Sequence, residues 1–202
     1  MRILVTMTAA TPLREPEPRT PAPGSLALVQ KLINSTEMPD GVDELRTGPL
    51  AVRWLHDAIG ADLTVSEQDR LRLIETREAL RDLLEAHTGE DVDPAVAVRL
   101  EKLLGRAPLR PVVSAAGASL AVNCRGIDSF LGMISTAIVE ATLLGTWTRL
   151  KVCRSEACRW AYYDHSKNGS SCWCSMRVCG SREKARAYRA RQHAGSTPEP
   201  AG

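Results

Sequence analysis

Four cysteines, Cys153, Cys158, Cys174 and Cys179, fall into two pairs of equal spacing, C-x4-C, with fifteen residues between the pairs. Two close pairs of thiolates can converge on one tetrahedral ion, and Zn2+ is the usual occupant of such an all-sulfur site. Residues 153–191, which hold them, fall below the roughly 40 residues at which a domain needs a metal, disulfides or a partner to fold. One structural Zn2+ is therefore the expected core of this segment. Four thiolates close the coordination sphere, whereas a catalytic zinc keeps a position open for water. His56 and His87 stand apart with no nucleophile or acid pattern beside them, and no glycine-rich phosphate loop occurs. The expectation is a protein that is not an enzyme.

Beyond the last cysteine comes a basic run on a helix expected from about Ser181 to Gln192. Arg182, Arg186 and Arg189 are expected to share a face, with Lys184 and Arg191 to one side. Arg182, Lys184, Arg186 and Arg189 are the candidate contacts to nucleic-acid phosphates and bases, and the residues alone do not separate DNA from RNA. A solvated face that keeps the chain soluble is the plainer reading. Charge asymmetry favours the first. Residues 1–148 carry 15 Lys and Arg against 20 Asp and Glu, a balance of −5, whereas residues 149–191 carry 11 against 3, a balance of +8. A basic module joined to a mildly acidic one implies a polyanionic partner for the former. One finger offers little contact area, so a homodimer or a further partner is expected.

The elements that must carry these residues can be read from pattern. The chain has 202 residues, enough for one ordinary domain and a small appendage. Residues 1–24 and 193–202 are proline-rich or without apolar period and read as disordered. Between them, residues 25–148 read as a helical domain and 149–192 as the cysteine module. Leu26 to Asn34 fits a short helix, and Pro39 to Gly41 a turn. Thr47 caps a second helix, with Pro49 in its first turn and Gly60 as its stop. Ser66 and Asp69 resemble a capping box opening a long helix to about His87. Its leucines form the inner stripe, and Arg70, Arg72, Arg77 and Arg81 are expected outside. Pro94 starts a further helix to Leu104, residues 109–122 a β-hairpin, and Asp128 or Ser129 an apolar helix to Leu144. That last helix contains Asp128 and Glu140 and reads as buried rather than membrane-spanning. Thr146 to Val152 is expected to be extended, and Cys124 to lie in the core. The opening Met-Arg-Ile-Leu-Val-Thr-Met is too short for a secretory signal. A soluble, cytoplasmic protein in a reducing compartment is expected, where paired cysteines favour metal over disulfide. The fold class is mostly α with a small β-hairpin, an α+β domain followed by a small treble-clef-like zinc finger.

Residues 149–192 resemble the CGNR zinc finger family. The likeness rests on Cys153, Cys158, the run Trp160 to Asn168, Trp173-Cys-Ser-Met176, Cys179-Gly-Ser-Arg182 and Lys184 to Arg189. Upstream, residues 26–150 resemble the ABATE domain of stress-induced transcription regulators, through helix patterning and Asn34, Trp54 and Arg77. The resemblance implies a four-cysteine zinc module that binds DNA and assigns no role to the upstream domain, which is expected to sense a small-molecule effector or to dimerise. Spacing leaves Cys172 open as a ligand in place of Cys174, and the family pattern favours Cys174. Ser181 stands where the family has Asn; both are good helix N-caps, so the turn into the helix should survive. Ser171 and Cys172 replace residues that are basic in the family. Two alternatives remain: an adaptor docking the finger on an acidic protein, and a redox sensor in which Cys172 attacks a ligand sulfur and releases zinc.

Overall fold

The computed structural model describes residues 20–37 and 41–194. The expected leader up to position 19, Pro39 and Asp40 of the expected turn, and the tail from residue 195 lie outside the described residues. Ala22 is buried and its N–H donates to Gln30 Oε1 at 2.7 Å, so the packed chain begins a few residues ahead of position 25.

Helix α1 spans Leu26–Ile33 and α2 Gly48–Ile59. Pro49 lies in the first turn of α2, and Gly60 closes it in the left-handed region at φ 67°. Helix α3, Glu67–Leu83, opens on the expected capping box: Ser66 Oγ accepts the Asp69 N–H, and the Asp69 carboxylate accepts the Ser66 N–H at 3.1 Å. It tightens into a 3-10 turn at Leu84–Thr88. Asp93 Oδ1 accepts the Ala95 N–H and starts α4, Pro94–Leu104. Strands β1 (Leu109–Ser114) and β2 (Gly117–Val122) form an antiparallel hairpin, with Leu109 opposite Val122. Cys124 follows β2 and is half-buried. Helix α5 runs Gly126–Leu143, two residues earlier than expected. The run expected to be extended starts instead with a 3-10 turn, Trp147–Arg149. Then β3, Leu150–Val152, pairs antiparallel with β4, Ala161–Tyr163, and α6 covers Ser181–Ala194.

Helix α3 corrects one expectation. Arg77 and Arg81 are only 3% and 1% exposed, while Leu71 is 52% exposed. The inner face therefore runs through Leu73, Thr76, Arg77, Leu80, Arg81 and Leu84. Both guanidinium groups find partners within the protein, although Arg81 Nε is buried without one. Arg77 donates to both Asp43 carboxylate oxygens at 2.7 and 3.0 Å, and Arg81 to the Ile33 carbonyl and Glu78 at 2.5 Å each. Charged groups tolerate burial when paired in this way.

Helix α5 is the centre of the core. Its Ile127, Phe130, Leu131, Ile134, Ala137 and Ala141 are buried, and Phe130 meets the edge of Trp54 at 5.7 Å. Each large apolar side chain so buried contributes about 1.5–3 kcal/mol. Gly132 lets β2 approach: a Cβ there would lie 2.5 Å from Val122 and 3.2 Å from Ala107. Among the described residues α5 alone is long and apolar enough to cross a membrane, yet one face is core and Asp128 pairs with Arg72. The same buried cluster includes Leu150, Val152 and Ala161, so the main core continues past position 148 into the β3–β4 ribbon.

Candidate metal centre and basic helix

The four expected cysteines come together. Their sulfurs all lie within 4.8 Å of one another, with Cys158 to Cys174 at 3.6 Å and Cys174 to Cys179 at 3.7 Å. Zinc–sulfur bonds of about 2.3 Å at tetrahedral angles require sulfurs roughly 3.8 Å apart, so the donor set fits such an ion. No cysteine is in a disulfide, and Cys172 lies outside the cluster, its thiol 3.7 Å from the Ser170 carbonyl.

Local chain chemistry builds each half. Strand β3 delivers Cys153, whose N–H donates to the Trp160 carbonyl at 2.9 Å, and Cys158 closes the knuckle on the Ser155 carbonyl at 2.8 Å. The amides of Ser155 and Cys174 hydrogen-bond to the Cys153 sulfur, and that of Trp160 to Cys158. Arg159 turns the chain at φ 45°, a conformation costly for a non-glycine residue. Its guanidinium offsets that cost by donating to Asp82 and Glu85 at 2.8 Å each. In the second half, Ser175 Oγ accepts the Val178 N–H and opens a π-turn, Met176–Gly180, that carries Cys179 straight into α6. Ser181 is therefore not the N-cap expected of it; it lies in helical conformation and its hydroxyl donates to the Met176 carbonyl. Gly180 makes a close approach: a Cβ would sit 2.5 Å from Met176 Sδ and 3.2 Å from Trp173, so the exposed Met176 side chain would have to move.

Without a cation the sulfurs compete for negative charge. The hydrogen bond from Cys153 holds the Cys158 thiol far below its usual range, and the Cys153 and Cys158 sulfurs push Cys174 far up. Burial raises Cys179. A divalent cation would relieve that conflict and stabilise all four as thiolates.

A buried ion pair, not foreseen from sequence, orders the loop between the cysteine pairs. Lys151 and Asp164 have side chains 5% and 2% exposed and meet at 2.9 Å. Lys151 also donates to the Gly169 and Ser171 carbonyls, while Asp164 accepts the Ser166 and Ser171 N–H groups. Burial pushes the Asp164 carboxyl up, but Ser166 and Lys151 outweigh it and hold it at about 2. Tyr162 packs against Cys153 and Cys179, with Trp173 alongside, and its hydroxyl donates to the Ser171 carbonyl at 2.7 Å. The aromatic residues thus shield the sulfurs as packing groups; Tyr188 is exposed on α6. His165 is an exposed turn residue against Tyr163.

Helix α6 exposes Arg182, Lys184, Arg186, Arg189 and Arg191, with Glu183 half-buried and accepting from Ser155. At about 100° per residue, Arg182, Arg186 and Arg189 share one face. Lys184 and Arg191 fall on the opposite face rather than beside it. The basic surplus is also smaller at the surface than the count implies. Lys151 is buried, Arg149 holds the Asp164 and Ser166 carbonyls, and Arg154 and Arg159 pair with Glu90, Asp82 and Glu85.

Those last pairs dock the cysteine module on the helical region. Asn34 adds a two-way amide contact, donating to the Ala161 carbonyl and accepting its N–H at 2.8 Å each. Gln30 donates to the same carbonyl, and His87 Nδ1 to that of Leu150 at 2.7 Å.

Two family models match this chain. One, described as Putative stress-induced transcription regulator (ABATE), matches residues 26–131; the other, CGNR zinc finger, matches residues 149–192. This chain belongs to the ABATE family and carries a CGNR zinc finger. No curated protein matches it. In the ABATE region, Asn34 and Arg77 are thus the residues that grip the finger and lock α3. In the CGNR finger, the glycine of Cys179-Gly-Ser-Arg182 is the close-contact Gly180.

Proposed function

We propose that this protein is a zinc-dependent, DNA-binding transcription regulator of the cytoplasm. The observation that carries the reading is the spacing of the four sulfurs, 3.6–3.7 Å for two pairs, with Cys179 delivered by the turn that opens α6. Cys153, Cys158, Cys174 and Cys179 would hold one Zn2+, which supplies positive charge to four thiolates and cross-links the knuckle to the helix. A closed four-sulfur shell leaves no position for a substrate, which supports a structural rather than an enzymatic role.

The helix then has a fixed direction relative to the ABATE core. Arg182, Arg186 and Arg189 on one flank and Lys184 on the other suit a rod lying in a major groove about 12 Å wide, facing phosphates on both walls. A single exposed helix buries little area, so a homodimer is part of the proposal.

Affinity of the zinc-loaded protein for duplex DNA, measured from 50 to 200 mM salt, tests this. The expected result is a steep fall, by roughly 40- to 150-fold for three or four phosphate contacts. Arg186→Ala and Arg189→Ala should each lower affinity and reduce the slope of log affinity against log salt by about one. No binding at 50 mM salt would overturn the reading.

A further inference from the structure

A cleft of about 770 Å³ opens between α1, the end of α2, β2 and α5. That volume lies in the range of pockets that hold small organic ligands. Its walls are chiefly apolar, including Leu28, Ile59, Leu120, Val122 and Met133. Two lining side chains are charged, Lys31 and Glu140, and they differ in how they are satisfied. Lys31 Nζ donates to the Asp57 carbonyl at 2.6 Å, and the Glu44 carboxylate interacts with its charge. Glu140 accepts from the Ser25 hydroxyl at 2.7 Å and has no ion pair among the described residues. One turn earlier on the same face of α5, the Thr136 hydroxyl is buried without a hydrogen-bond partner. Ser25, the N-cap of α1, and Lys31 lie six residues apart, a rise of about 9 Å along the helix axis.

We propose that this cleft binds a small organic cation with an apolar body, its ammonium group seated against Glu140 and its body along Leu28, Val122 and Met133. Lys31 is exposed and its ammonium is held by a backbone carbonyl, whereas Glu140 is half-buried one turn from the unpartnered Thr136 hydroxyl, so the charge a ligand meets inside the cleft is negative. An ammonium there gains a carboxylate partner while the apolar walls shed water. The inference rests on the regulatory reading for its purpose, because α1 works on two faces. Leu28 and Lys31 line the cleft; Gln30 and Asn34 hold Ala161 of the finger.

Three probes with one chain and different heads, decylammonium, decanoate and decanol, distinguish this site from general greasiness. Each is titrated below its micellar concentration into the full-length, zinc-loaded protein and followed by calorimetry. Decylammonium should bind one per chain, at least tenfold more tightly than decanoate or decanol. Glu140→Gln, which keeps an oxygen for Ser25, should remove about tenfold of that preference without lowering Tm. Met133→Trp, at a half-exposed wall position, should block all three by filling the cleft. Equal affinity for the three heads, no binding, or binding untouched by both substitutions would each overturn the proposal. The titration needs no DNA. A protein that takes up decylammonium yet ignores DNA retires the regulatory reading and keeps the site; one that binds DNA and none of the probes does the reverse.

Discussion

Lys151 is the residue where a charge count misleads most. It sits between Leu150 and Val152 in a strand, where a solvated lysine would be expected to point outward, yet its ammonium is spent on Asp164 and two loop carbonyls. Lys151→Met leaves Asp164 buried without its cation, a change that costs about 3–5 kcal/mol where such pairs are broken from one side. Urea unfolding should show that loss, together with weaker zinc retention, because the loop Lys151 holds leads into Cys174. A loss below 1 kcal/mol would mean the Ser166 and Ser171 amides suffice. Asp43 offers a pH readout in the ABATE region. Burial raises its carboxyl, but the Arg77 guanidinium and the Leu45 amide hold it below the usual 3.8 overall. A depressed carboxyl stabilises the fold fully above the unfolded value and loses that contribution as pH falls toward the folded one. Arg77→Met removes the cause. The stability gap between wild type and this variant should therefore be widest above pH 5 and shrink as pH falls through about 4 to 3. A gap constant with pH would sink the assignment.

At the scale of elements, two serines compete for one role and can be separated. Ser175 accepts the Val178 N–H at the start of the turn that runs into α6, whereas Ser181 already lies within helical conformation. Ser175→Ala should cost about 1 kcal/mol and Ser181→Ala a few tenths at most. Thermal melts of the zinc-loaded variants decide it, and the reverse order would restore Ser181 as the cap. The case shows what pattern reveals. Capping box, Pro49, Gly60, Pro94 and the 109–122 hairpin act on neighbours in the chain, so both ends of α2 and the starts of α3 and α4 were legible. Helix α6 starts at Ser181 as expected, but a π-turn, Met176–Gly180, runs into it, and no local preference announces that turn. Helix α3 was misread in phase for the same reason. The groups that make Arg77 and Arg81 acceptable inside, Asp43 and the Ile33 carbonyl, are 34 and 48 residues away. A ligand set at repeated spacing is itself a local pattern, which is why the four cysteines were visible while Lys151, Asp164 and the Asn34 clasp were not.

Across the whole molecule, two buried clusters meet at the β3–β4 ribbon. Leu150, Val152 and Ala161 belong to the large helical core, whereas Cys153, Tyr162 and Cys179 form the small one around the sulfurs. The ribbon is held from the ABATE side by Asn34, Gln30 and His87, none of which depends on the metal site. Residues 164–192 are held by Arg149, Lys151, Tyr162, the Ser155–Glu183 bond and the four sulfurs, and α6 is exposed along nearly its whole length. Removing metal with a strong chelator should therefore divide the chain. Residues 164–192 should lose amide protection in hydrogen exchange, Trp173 emission should shift toward that of a solvated indole, and the proposed DNA binding should vanish. Helices α1 to α5, with about 1.5–3 kcal/mol from each buried Leu or Phe, should keep their protection. Collapse of all five helices with the metal would show that the large core cannot stand alone. Retained protection in residues 164–192 would show that the sulfur cluster folds without an ion, and the directional role of the metal would fall with it.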